Sequence, residues 1–380
     1  MFNTKYVVVG AGIFGSVIAE RIASVLNESV TVIEKRSHVG GNCYSEIDSE
    51  TGIECHRYGS HIFHTSSETV WEYITKFGTF TNYRHKVLAV SGGKVYFMPI
   101  NLKTLCDVHQ CFITPSEAQK LLSVERSDPA LAKNLEEKSI ALIGKDLYEK
   151  FIRGYTEKQW EKKPRELPAD IISRLPIRTN FNTDYFNDPY QGVPKDGYFM
   201  LFENLLSNSR IKVLLDTDYC AIRDEIPSDA TIVYTGMIDE FFDYRFGTLE
   251  WRSLRFEWET LEQADFQGTT VVNYTDADIP YTRIHEFKHY HPERHEPYES
   301  NKTVICKEYS QTWNRGMEAY YPVNTDRNQV LLKQYQELAQ KNPNVVFGGR
   351  LGCYRYWDMD KAVLAALNCF ETQIKENYHG

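Results

Sequence analysis

At 380 residues, 42 % of them hydrophobic and 25 % charged, the chain is long enough for about two or three packed units and has the balance of a globular protein. Its formal charge of −9 argues against nucleic acid as a partner, because phosphate backbones are gripped by clustered basic faces. No apolar run is long enough to span a bilayer, and the eight cysteines form neither a C-x-x-C pair nor a zinc signature.

The first strong signal is local. An apolar run, Tyr6 to Val9, leads into Gly10-Ala11-Gly12-Ile13-Phe14-Gly15, and a helical stretch follows with Val17, Ile18, Ile22 and Val25 on one face. A second apolar run, Val30 to Ile33, ends in Glu34. Runs without alternation suit parallel strands buried on both faces. G-x-G-x-x-G between a strand and a helix is the dinucleotide fingerprint. Gly10 permits the tight turn, Gly12 lets the backbone approach a pyrophosphate, and Gly15 lets helix and strand pack. The free N–H groups of the helix start then face the phosphates, and Glu34 can accept from a ribose hydroxyl. A second glycine pair, Gly40-Gly41, precedes Asn42 and resembles the extended FAD fingerprint of glutathione-reductase-like flavoproteins. No charged leader stands ahead of the first strand, so a cytoplasmic protein with free thiols is expected.

Residues 101–175 read as helical, with Leu135, Ile140, Ile143, Leu147 and Phe151 at near-helical spacing. Prolines at 164, 168 and 176 then punctuate the chain. Residues 245–310 alternate, as in Leu254, Phe256 and Trp258, and predict antiparallel strands. The polar stretch His291–Asn301 predicts an exposed loop. Val345 to Phe347 predicts a strand, Gly348-Gly349-Arg350 a turn, and Met359 to Phe370 a helix. The expected fold class is α/β, a Rossmann-like FAD-binding domain with an inserted helical domain and an antiparallel sheet domain. The FAD domain is expected to be discontinuous (residues 1–75, 203–243 and 345–380). Residues 101–175 form the helical domain with a mobile lid, and residues 76–100, 176–202 and 244–344 the substrate domain.

Several blocks are less generic. His56-Arg57-Tyr58-Gly59-Ser60-His61-Ile62-Phe63-His64-Thr65 resembles the flavin-facing loop of the UDP-galactopyranose mutase family. So, in family order, do Gly154 to Trp160, Arg174 to Arg178, Tyr281 to Ile284, Tyr320 to Val323, and Gly349 to Asp360. The resemblance covers nearly the whole chain. It implies an isomerase that contracts UDP-galactopyranose to UDP-galactofuranose through a reduced-flavin N5–sugar adduct, supplying furanose units for surface polysaccharide. Catalysis is then nucleophilic, with the cofactor as nucleophile.

The resemblance also assigns residues. Arg174 and Arg283 would clamp the departing diphosphate, a role suited to the planar guanidinium fork, and His61 would lie near the reactive flavin edge. Phe14, Glu34, Lys35, Asn42, His61, Ile62, Tyr219, Arg350, Asp358 and Met359 would hold FAD, beside Gly10, Gly12, Gly15 and Gly41. Tyr155 would stack on uracil, near Phe151, Thr156 and Trp160; Tyr185, Tyr321 and Tyr356 would donate to the diphosphate, and Asn82 and Asn273 would touch substrate. No metal, nucleic acid or membrane span is expected, and a homodimer is. Ser60 stands where the family usually has Pro or Ala, and Trp357 where Tyr or Leu is more usual. Both leave the exact sugar open: UDP-N-acetylgalactosamine or a dTDP-deoxy sugar are alternatives. An ordinary flavin oxidoreductase shares the fingerprint without needing two arginines and a tyrosine cluster. A non-enzymatic module like the GDP-dissociation inhibitors shares the fold without needing an intact pyrophosphate loop.

Overall fold

A computed structural model describes residues 4–123, 128–174 and 176–378, with the side chains of Ser173 and Arg174 outside the description. In chain order the strands are β1 (Tyr6–Val9), β2 (Val30–Ile33), β3 (Ser45–Ile47), β4 (Glu54–His56), β5 (Phe63–Thr65), β6 (Val87–Ser91), β7 (Lys94–Met98) and β8 (Tyr190–Gly192). They continue with β9 (Ile211–Leu214), β10 (Thr231–Tyr234), β11 (Trp251–Leu261), β12 (Val271–Tyr274), β13 (Arg283–Glu286), β14 (Thr303–Thr312), β15 (Tyr321–Pro322) and β16 (Val345–Phe347). Two sheets carry the architecture.

The first is parallel throughout, in the order β16-β10-β1-β2-β9. The central strand β1 reads as an unbroken apolar run because both its faces are covered, whereas the edge strand β9 carries the exposed Lys212. Tyr6 and Val8 point into a core with the helices Ile13–Arg21, Tyr198–Leu205 and Met359–Cys369, while Val7 and Val9 face Tyr219, Ile226 and Tyr234 on the other side. Val17, Ile18 and Ile22 are fully buried as expected, but Val25 is 38 % exposed. The helix widens to a π turn over Ile22–Leu26, and the extra residue per turn rotates Val25 off the apolar stripe. Tyr198, Leu201 and Phe202 belong to this core, so a domain division between 202 and 203 would cut a helix.

The second sheet has seven strands, β15-β11-β14-β13-β12-β6-β7. Among the described residues its pairings are antiparallel except one: β6 runs parallel to β12, Val87 opposite Val271. The expected antiparallel sheet is found with this one parallel pair, because β6 and β12 come from distant stretches and no tight turn sets their direction. The helices between Leu102 and Trp160 pack on the β6–β7 end, with Val87, Ala89, Tyr96 and Met98 in one core with Leu135, Leu147 and Phe151. The stretch His291–Asn301 is less open than expected. It contains the short helix His295–Glu299, and His291 is buried with Nε2 3.1 Å from a Glu54 carboxylate oxygen.

Two buried histidines sit where the loops meet the second sheet. His56 accepts the His61 N–H at 3.1 Å and stacks on Tyr290; His85 lies against Tyr185 and Phe186. Burial pushes both imidazoles down to about 3. Between pH 6.5 and that value the unfolded chain binds more protons than the folded one, so stability rises with pH across the window. The contribution is complete above about pH 6.5 and is lost as pH falls; at pH 5 each histidine is expected to have cost about 2 kcal/mol. Urea unfolding at pH 7 and pH 5 measures this. The midpoint should fall at pH 5, and fall less in His85→Gln; a midpoint indifferent to pH would contradict the assignment.

Candidate functional site

The glycine turn after β1 is built by exclusion. Gly10 adopts φ +97°, and a Cβ there would come 2.1 Å from Thr235 Oγ1. A Cβ on Gly15 would lie 2.0 Å from the Gly10 carbonyl oxygen, so the turn and the helix can come this close only with glycine at that position. Gly12 differs: a Cβ would meet only the Gly41 Cα, at 3.9 Å. The two glycines stand back to back, and the helix Ile13–Arg21 starts at Gly12 with no side chain capping its N–H groups. This cradle of open space and free donors fits a pyrophosphate. Glu34, 5 % exposed, accepts the N–H of Ala11 at 2.8 Å and of Arg36 at 2.9 Å, tying the turn to the end of β2 with lone pairs remaining for a ribose. Arg36 Nη2 donates to both Asn42 Oδ1 and the Glu318 carboxylate, while its Nη1 is buried without a partner. A buried orphan donor beside the second glycine pair again fits a bound dinucleotide.

The remaining cofactor candidates have the following surroundings. Lys35 is 61 % exposed in its side chain, 3.4 Å from Glu318. Phe14 is buried, its ring nearly parallel to Trp357. Arg350 donates to the Trp357 carbonyl at 2.6 Å and the Tyr320 carbonyl at 3.2 Å, while Asp358 stands just ahead of the helix that Met359 begins, without a side-chain hydrogen bond to its N–H groups. Tyr219 is buried against Tyr234 and Phe241, and Ile62 is buried beside Val193 and Cys55. His61 is half-buried, and burial holds its imidazole down to about 4. Its Nδ1 lies 2.7 Å from the Gly59 carbonyl and must be the protonated nitrogen, which leaves Nε2 an acceptor.

The second half of the site is a cross-strand row. Asn273 on β12 stands opposite Arg283 on β13, and Arg283 opposite Glu308 on β14. In-register side chains share a face, so the three line up across the sheet. Arg283 Nε is 3.4 Å from Glu308 Oε1, and Nη2 donates to the Tyr155 hydroxyl. Burial disfavours both charges, but each stabilises the other: the guanidinium is held more firmly protonated, and the Glu308 carboxyl down to about 2. Tyr155, Tyr185 and Tyr321 all feel the Arg283 charge, and Tyr321 stacks on Tyr356 at 5.4 Å. Burial pushes the Tyr185 hydroxyl up to about 12, so it remains a donor. Asn273 Oδ1 is buried with no partner, a polar atom aimed at something else. The row can hold a compact anion between one fixed guanidinium and several hydroxyl donors.

Other candidates sit differently. Phe151 is 2 % exposed and packs edge-on against Tyr96, so neither ring face is open to a base in this conformation. Thr156 is buried within the helix Gly154–Trp160, and Trp160 leans on the helical core. Asn82 is exposed in the loop before β6. The backbone of Arg174 closes the turn Ala169–Arg174, and its side chain lies outside the described residues. Two residues that no sequence motif marks are central, Glu308 and His285. A partly buried arginine demands a carboxylate, and that requirement was the available signal.

The chain is similar to known proteins over nearly its whole length. The UDP-galactopyranose mutase family matches residues 150–356, and NAD(P)-binding Rossmann-like domains match residues 8–77. A Klebsiella pneumoniae protein named "Probable UDP-galactopyranose mutase" is 40 % identical, over 97 % of this chain and 94 % of its own. The dTDP-fucopyranose mutase of Escherichia coli is 38 % identical, over 98 % of this chain and 99 % of its own. A crystal structure of reduced UDP-galactopyranose mutase shares the fold, with a TM-score of 0.74 at 13 % identity, over 98 % of this chain and 94 % of that one.

The glycine geometry separates binding from folding. Gly12→Ala should fold with nearly unchanged Tm, since its Cβ meets nothing closer than 3.9 Å, yet lose bound dinucleotide. Gly15→Ala should lose at least about 3 kcal/mol of stability, because backbone must move. Thermal unfolding and the absorbance of bound flavin measure the two effects; identical behaviour of both variants would contradict this division.

Proposed function

The chain belongs to the UDP-galactopyranose mutase family of nucleotide-sugar isomerases, and from that premise we propose that it interconverts the pyranose and furanose forms of UDP-galactose with FAD as cofactor. The observation that carries the reading is the row Asn273–Arg283–Glu308 with Tyr155, Tyr185 and Tyr321 gathered on its arginine. When bound, reduced FAD supplies a nucleophilic N5 for the anomeric carbon. The cradle of Gly12 and Gly41, with Glu34, Asn42, Arg350 and Asp358, would hold it.

The chain's own residues do the rest. Arg283 meets charge that develops on the leaving diphosphate, and the water-poor surroundings strengthen that contact. Tyr155, Tyr185, Tyr321 and Tyr356 orient phosphate oxygens as neutral donors. In this reading Arg174 is the second clamp, and Asn273 and Asn82 contact the sugar nucleotide. His61, neutral, presents Nε2 as an acceptor near the reacting edge. The E. coli relative's name makes a dTDP-deoxy sugar the alternative substrate.

Residues 160–180 are read as a lid over UDP, with Phe151 offering a uracil contact on rearrangement. Its base is fixed: Glu161, at φ +51°, pairs with Arg252 at 2.8 Å and accepts from Thr312. Beyond it the pairs Lys162–Glu250 and Arg165–Glu136 are loose, at 3.9 Å, although Leu167 and Ile172 tuck into the helical core. A cytoplasmic homodimer completes the reading; no described helix is long and apolar enough to cross a membrane.

Dithionite-reduced protein incubated with UDP-galactopyranose and with dTDP-fucopyranose, products separated by chromatography, tests the function. Turnover of neither, or equal turnover by air-oxidised enzyme, would overturn it. Arg283→Ala should keep FAD and lose about two to three orders in kcat, about 2.7–4 kcal/mol; near-normal kcat removes Arg283 from the clamp. Trp160 as sole tryptophan should change fluorescence on adding UDP, and an unchanged signal together with unchanged proteolysis of residues 160–180 would rule out the lid.

A further inference from the structure

Arg283 is held more by charge than by hydrogen bonds. Its Nε is buried without a well-formed hydrogen bond, 3.4 Å from Glu308 Oε1, so the direction of the guanidinium depends on where the Glu308 carboxylate points. A carboxylate turns freely about its last bond unless its second oxygen is fixed. In this chain it is fixed, by a histidine. Arg283 and His285 are two apart on β13 and share a face, and Glu308 on the neighbouring strand reaches both. His285 Nε2 lies 2.9 Å from Glu308 Oε2, and its Nδ1 contacts the Ser60 hydroxyl. The imidazole is fully buried.

We infer that His285, locked by Ser60, is a positioning residue: it fixes the Glu308 carboxylate and thereby aims Arg283 at the diphosphate. The inference rests on the reading of Arg283 as a phosphate clamp. The hydrogen bonds have one consistent direction. The Ser60 O–H donates to Nδ1, Nε2–H donates to Glu308, and Glu308 keeps its charge for the arginine. Burial keeps the imidazole neutral, so it orients Glu308 without competing with Arg283 for that charge. Ser60 belongs to the loop that carries His61, and Gly59 of that loop lies beside the same carboxylate: a Cβ there would be 3.4 Å from Glu308 Oε2. The relay therefore ties the loop expected to face the flavin to the arginine expected to face the phosphates.

A double-mutant cycle read by UDP binding tests this in the FAD-loaded protein, by calorimetry. His285→Ala should weaken UDP about tenfold when Arg283 is present and less than about twofold in an Arg283→Ala background. His285→Gln, which keeps an N–H donor near Nε2, should recover most of the loss, and Ser60→Ala should show a smaller loss with the same dependence on Arg283. A merely packed histidine would lower Tm without coupling to Arg283. Equal losses in both backgrounds, or full affinity in His285→Ala, overturn the inference. Should His285→Ala not fold, the Ser60→Ala cycle decides alone, since removing a half-exposed loop hydroxyl leaves no large cavity. If Arg283→Ala itself binds UDP normally, the clamp reading has failed, and that outcome is distinct from an uncoupled His285.

Discussion

A charge cannot be taken from water into the middle of a sheet unless another charge is waiting there. Arg283 is such a charge, and Glu308 is its counterweight. Much else in the second sheet comes from keeping this pair dry and directed. The register of β12, β13 and β14 brings Asn273, Arg283 and Glu308 into one row; a one-residue slip would bury the guanidinium on the wrong face. The tyrosines around it remain neutral donors because burial opposes their ionisation. A second small anion entering this row would find one positive charge already oriented, with little reorganisation left to do.

The parallel sheet works by the opposite means. Its chemistry lies in backbone, and its side chains chiefly clear space. Gly10 and Gly15 let the turn close, Gly41 lets the second turn come against Gly12, and Gly12 leaves room rather than filling it. Glu34 is a charged group drawn inside, and the two N–H groups that hold it also fix the turn. A cofactor laid along this cradle would pass from a site made of main chain to one made of arginine and tyrosine.

In the first sheet β1, β2 and β16 were legible in the sequence, because G-x-G-x-x-G between two apolar runs admits few geometries, whereas β9 and β10 carry no such mark and were assigned only to a middle piece of the domain. The second was legible as strands but not as partners. Alternation in residues 245–310 shows which side chains share a face, not which strand lies alongside, so the parallel β6–β12 pair was hidden. The arginines and tyrosines came from motif resemblance. Glu308 and His285 carry no local mark: they matter because of what sits opposite, and register is not written in any short window. Helical spacing around Phe151 reads the same whether its ring faces a ligand or, as here, packs against Tyr96.

The parallel pairing of β6 with β12 also bears on how the chain is made. As it leaves the ribosome, the β6–β7 hairpin is ready early, but the strand that covers its inner edge emerges only after the helices and much of the parallel sheet. That first sheet waits too, for β10 and then β16 near the far end. For most of synthesis neither sheet can close, and an apolar strand edge stays open. Cells making this protein have reason to shield nascent β6, and slow translation upstream of residue 271 would lengthen the exposure rather than relieve it.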